Sequence, residues 1–83
     1  MIVNELFSAV ACPANTATPA VVQKGVGGFL CTTSGTLTVV VGGVTLCTAL
    51  AVTAGVFHSI PFACDGAATF TTAGGAVGTM AIL

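Results

Sequence analysis

A glycine pair set between two β-branched runs constrains this chain more than any other feature: residues 36–50 read TLTVVVGGVTLCTAL, with Gly42 and Gly43 at the centre. Two-residue hairpin turns need positive φ angles, which glycine reaches without a Cβ clash, so the pair predicts a tight hairpin. Pairing Val41 with Val44 across that turn sets Val39 opposite Leu46 and Thr38 opposite Cys47. Side chains alternate along strands, so Leu37, Val39, Val41, Val44 and Leu46 then share one face, the expected core. Thr36, Thr38, Val40, Thr45, Cys47 and Ala49 share the other, which is half hydroxylated. A ribbon divided in this way belongs to a sheet with one buried side.

Shorter versions of the pattern fill the rest of the chain. Strands are expected at residues 20–24, 29–33, 56–60, 68–72 and 77–83, with Gly25, Gly27 and Gly28 breaking the first from the second. Turns are expected at Ser34 and Gly35, at residues 52–55 and at residues 64–66. Pro61 ends its strand or places it at a sheet edge, and AGGA at residues 73–76 reads as the turn of a second hairpin. Pro13 and Pro19 bound a loop at residues 12–19 that either connects strands or lies across a neighbouring subunit. Residues 1–10 lack a basic leader and carry Glu5, so they read as an edge strand or arm and not as a secretion signal. The expectation is a single all-β domain: residues 1–19 form an N-terminal strand or arm with its proline-bounded loop, and residues 20–83 form the β domain. Six to eight short strands make a compact antiparallel sandwich or barrel with no substantial helix.

A folded chain of 83 residues exposes roughly 4,500 Å², yet only Glu5, Lys24 and Asp65 carry formal charge. Thirteen threonines and three serines supply neutral polarity, but the strongly apolar balance of the remainder implies surface that an interface must cover. A subunit of an oligomer is therefore expected. One lysine and no arginine cannot make the several phosphate contacts on which nucleic-acid binding rests. Residues 39–57 are uncharged and apolar enough to flag a membrane-spanning helix. Against a membrane role stand the glycine pair, the valine and threonine content, and the absence of flanking basic clusters or Trp and Tyr anchors.

Acid–base chemistry has little to work with: Glu5, Asp65, Lys24 and His58. A thiol–imidazole pair of Cys64 and His58 is conceivable on paper, but His58 reads as an ordinary surface or interface histidine, and no catalytic residue is expected. Cys12, Cys31, Cys47 and Cys64 lie 19, 16 and 17 positions apart without a C-x-x-C or a neighbouring histidine, so no metal site is expected. The glycines lack the basic residue and following helix of a phosphate cradle, and no cofactor is expected. The cysteines are left as buried thiols, as intrachain disulfides in any of three connectivities, or as bonds between subunits. The hairpin register puts Cys47 on the mixed face, where it would touch another subunit or be open to alkylation.

GTLTV at residues 35–39, VTAGV at 52–56 with IPF at 60–62, and AGGAVGT at 73–79 together resemble small glycine- and threonine-rich structural proteins of tailed bacteriophages that decorate or cement capsids. The likeness covers residues 36–83. It implies a non-enzymatic β subunit, trimeric by that likeness, which binds the major capsid protein or another repeating shell protein on the capsid surface of a virion assembled in the host cytoplasm. The four cysteines depart from the cysteine-poor pattern of such proteins. Two other classes share the composition: a fibre, pilus-like or surface-layer subunit assembled by strand addition, and a small membrane protein of the holin type.

Overall fold

The computed structural model describes residues 7–83; Glu5 and the start of the expected arm lie outside them. The described chain forms eight strands and no helix: β1 (Ser8–Cys12), β2 (Ala17–Val22), β3 (Gly25–Thr33), β4 (Gly35–Val41), β5 (Val44–Val52), β6 (Phe57–Ala63), β7 (Gly66–Ala73) and β8 (Val77–Ile82). They make two four-stranded antiparallel sheets, ordered β1-β8-β3-β6 and β2-β7-β4-β5. No helix among the described residues is long and apolar enough to cross a membrane. The apolar window at residues 39–57 is instead strand β4, strand β5 and the turn after them.

The strand order follows from one construction. β1 pairs with β8, β2 with β7, β3 with β6 and β4 with β5, so the chain is a single long antiparallel ribbon folded back at Gly42 and Gly43. Rolling the ribbon brings β3 against β8 and β4 against β7, which closes the two sheets. This is jelly-roll topology. At the tip both glycines have positive φ, 59° and 80°, the requirement of a type I′ turn.

Beyond the tip, the hairpin departs from simple pairing. Val41 faces Val44 and Val40 faces Thr45, but Val39 faces Cys47 in place of Leu46, and Leu37 faces Leu50. Two extra residues are accommodated on β5, an edge strand, where bulges bend and twist the ribbon. Ala49 takes a positive φ of 47° at the second, and its N–H donates to Thr38 Oγ1 at 2.9 Å in place of a ladder bond. Cys47, expected beside Thr38 on the mixed face, is therefore turned to the core side, where it packs half-buried.

Three other local readings are corrected. Gly25, Gly27 and Gly28 do not separate two strands; they lie within β3, where a register shift at Val26 and Gly28 absorbs the irregularity. Residues 73–76 do not close a hairpin, because β7 and β8 belong to different sheets and the turn crosses between them. The 12–19 segment is not loop throughout: Cys12 ends β1, and Ala17, Thr18 and Pro19 lie in β2. Its turn is bound to its own chain, with Thr72 Oγ1 donating to the Pro13 carbonyl and Asn15 Oδ1 accepting the Gly75 N–H at 3.1 Å. Residues 8–22 thus supply one edge of each sheet.

The core sits between the sheets. The cross-strand pair Phe29 and Met80 comes from one, the pair Val39 and Phe70 from the other, and all four are fully buried. Leu37 and Val41 are buried with them, and Leu46 packs half-buried at the margin. Val44, expected in the core, is 60% exposed, because it stands at the end of an edge strand where no strand continues the sheet over it.

Candidate interaction surface

The outer faces of the two sheets are chemically unlike. On β2-β7-β4-β5 the outward positions of the central pair set Thr38 opposite Thr71 and Val40 opposite Thr69, while Val21 of β2, opposite Ala67, is 68% exposed at the edge. On β1-β8-β3-β6 the outward positions are Ala9 opposite Ala81, and Leu30 flanked by Thr79 and Phe57. Phe7, Leu30 and Phe57 are 52%, 46% and 54% exposed.

Glycine shapes this second face. A Cβ on Gly28 would lie 2.5 Å from the tip of the Phe57 ring, and one on Gly27 would lie 2.7 Å from Phe7. Both rings therefore reach over bare β3 backbone, and each remains about half exposed. Beside them are two adjoining hollows of about 530 and 250 Å³, which share Phe7, Phe57 and Ala81 in their walls. Phe62, at the sheet margin, extends the larger hollow, and among the described residues Lys24 is the one charged side chain lining it. A third hollow of about 480 Å³ opens on the flank between the hairpin tip and the end of β6, where Val44, Leu46 and Phe62 meet Cys64. Sequence reasoning missed the patch: Leu30 and Phe57 share no motif, and β3–β6 pairing alone sets them side by side.

Of the residues weighed for chemistry, the Cys64 N–H donates to the Lys24 carbonyl at 3.0 Å beside Asp65, and His58 lies apart from them. His58 and Cys64 are separated by six positions of extended strand, roughly 20 Å at 3.3 Å per residue. His58 Nε2 accepts the Thr53 N–H at 2.9 Å, which places its ring proton on Nδ1. Ser34 Oγ accepts the Ala54 N–H at 2.9 Å, and the Gly55 N–H donates to the Cys31 carbonyl at 2.9 Å. Imidazole, hydroxyl and backbone together hold the β5–β6 turn against the end of β3. No group of three or more His, Cys, Asp or Glu that could hold a metal ion occurs among the described residues.

All four cysteines are free thiols. Cys12 and Cys31 are buried on either side of β8, both opposite Gly78, two strand spacings or roughly 9–10 Å apart. That separation is beyond disulfide reach. Gly78 itself has no room for a Cβ, which would meet the Phe29 ring and the Leu30 carbonyl at 2.4 Å. Cys31 donates to the Thr33 carbonyl at 3.0 Å, and Cys47 points toward the Leu37 carbonyl at 3.7 Å. Burial pushes the Cys12 and Cys47 thiols above their ordinary range. Cys64 follows β6 and is half-buried at the flank hollow.

No protein-family model matches the chain, and neither a curated protein nor a solved structure matches it.

Proposed function

We propose that this protein is a non-enzymatic structural subunit that docks on a repeating protein surface, a viral shell in the first place, and stabilises it as a decoration or cement protein. The small all-β domain is generically suited to a structural role. The observation that carries the reading is the Phe7, Leu30 and Phe57 patch on a chain with three charged residues. Three half-exposed phenylalanines, counting Phe62, and Leu30 offer about 400 Å² of apolar surface, the scale at which a patch on a small protein marks an interaction site. Jelly rolls build viral capsid domains, but also lectins and cupins, so topology adds only an analogy. The phage resemblance of residues 36–83 points the same way, to a capsid-surface location in the virion and the major capsid protein as partner.

Covering that patch yields roughly 10 kcal/mol gross at 25 cal/mol/Å², and association and ordering consume about 4–15 kcal/mol. A single contact is weak. Repetition over a lattice makes it effective, because each further contact of a linked subunit is intramolecular. The test is co-sedimentation with particles assembled from the shell protein encoded in the gene's neighbourhood, using the native chain and a Leu30→Ser/Phe57→Ser variant. The native chain is expected in the pellet, and the variant, with its β circular dichroism unchanged, in the supernatant. Equal sedimentation of both would remove this face from the interface, and failure of the native chain to pellet would remove the shell reading.

A further inference from the structure

The four sheet edges are not equivalent. β2 carries Pro19, which cannot donate to an added strand, and β6 carries Pro61 for the same effect. β5 is interrupted twice by register shifts, and Ala49 sits there at positive φ, so its outer edge is bent out of line. Prolines and bulges are the devices by which sheets keep their edges from pairing. β1, sequence SAVAC, has neither: it pairs with β8 in unbroken register from Ser8 to Cys12, and its first proline, Pro13, comes after the strand ends. Among the described residues no backbone bond is made to its other side. In an antiparallel ladder alternate residues point both N–H and C=O outward, so two or three of these five are open to a further strand.

We propose that β1 is a self-association edge, and that the occupant is β1 of a second copy of this chain, antiparallel across a two-fold axis. The second copy is chosen by the edges themselves. Pairing of one edge with a different edge would generate a ring or an open chain of subunits, and it needs two open edges, where the described residues offer one. A single open edge can only meet its own kind, which closes the assembly at two. The strand is uncharged and made of small residues apart from Val10, so no like charges oppose one another across the axis. With the axis at Val10, Ala9 faces Ala11 of the other copy, and the two outer faces join into one surface of eight strands carrying both Phe7, Leu30 and Phe57 patches. The contact is short, at the low end of interface size, and dissociation in the micromolar range follows. A two-fold replaces the trimer implied by the phage resemblance, and strand-addition fibres need a second open edge that the described residues do not offer.

The test needs only the isolated full chain, so it stands or falls apart from shell binding. Sedimentation from about 1 to 500 µM is compared for the native protein, Ala9→Lys/Ala11→Lys and Ala9→Lys/Ala11→Glu. Both positions are exposed, so the variants preserve the fold, which circular dichroism checks. In the proposed register the first variant opposes like charges twice and the second opposes opposite charges twice. The native chain and the Lys/Glu variant are expected as dimers, with the Lys/Lys dissociation constant raised about tenfold or more over the Lys/Glu one. A native chain that stays monomeric throughout, a trimer, or two variants that associate equally would overturn the proposal. A Val10→Pro and Ala9→Pro pair gives a second reading: one of the two removes an outward N–H and the other a ladder N–H to β8. The better-folded of them is expected to be monomeric, and a dimer there would also overturn it.

Discussion

Val39 and Val44 are the same residue type on the same ribbon, and the fold treats them oppositely: Val39 is fully buried against the paired Phe70, and Val44 stands at the end of an edge strand. Val39→Ala should cost about 2–3 kcal/mol, and Val44→Ala should stay within about 0.5 kcal/mol; urea denaturation of the two variants measures the difference. The thiols give a second residue-scale expectation. Burial raises Cys12 and Cys47 in the folded state, so as pH rises past the ordinary thiol value of 9.0 the unfolded chain loses protons first. The unfolded state then binds fewer protons than the native one, and stability must fall with rising pH. Denaturation midpoints should be flat near neutrality and decline above about pH 9, and substituting alanine for both cysteines should flatten that decline. A thiol reagent should leave Cys12 and Cys31 unmodified in the native protein and modify all four in denaturant.

At the scale of the element, the β4–β5 tip is where local and long-range demands coincide. Gly42 has φ of 59°, and a Cβ there would also lie 2.6 Å from the Asp65 carbonyl oxygen; its N–H donates to the Ala67 carbonyl at 2.9 Å. Gly43 has φ of 80° and nothing within 4 Å. Gly43→Ala therefore carries only the left-handed penalty, about 1–2 kcal/mol, while Gly42→Ala must also displace the β6–β7 loop. Thermal or urea unfolding should show Gly42→Ala destabilised by at least about 1 kcal/mol more than Gly43→Ala. Equal losses would mean that the tip is free of the loop. The edges obey a similar logic, since Pro19 and Pro61 both occur in edge strands, where a missing N–H costs the sheet nothing.

For the whole molecule, the accessible surface of 4426 Å² is close to what its mass dictates, and very little of it is charged. Its two outer faces differ: threonines and valines share one, and Phe7, Leu30 and Phe57 stand on the other. The docking proposed for the second face would rest on apolar burial, so binding to a shell should change little between about 50 and 500 mM salt, where screening would dissolve a contact built on ion pairs. Co-sedimentation across that range checks it, and release by moderate salt alone would point to a different surface.

What the sequence determined by itself was local: alternation made Leu37, Val39 and Val41 one face, Gly42 and Gly43 made the tip, and the scarcity of charge called for covered surface. Strand type and turn chemistry depend on neighbours along the chain, and those are legible in order. Only the tertiary structure decided which strands meet. The rolling of the ribbon sent β7 and β8 to different sheets, kept the 25–28 glycines inside β3 and placed Leu30 beside Phe57. It also decided which strands became edges, which left Val44 uncovered at the end of β5 and allowed the bulges that turned Cys47 inward. A one-residue bulge reverses the facing of every residue beyond it, and its cause lies in the coiling of a whole edge strand, which no pair of neighbouring residues encodes.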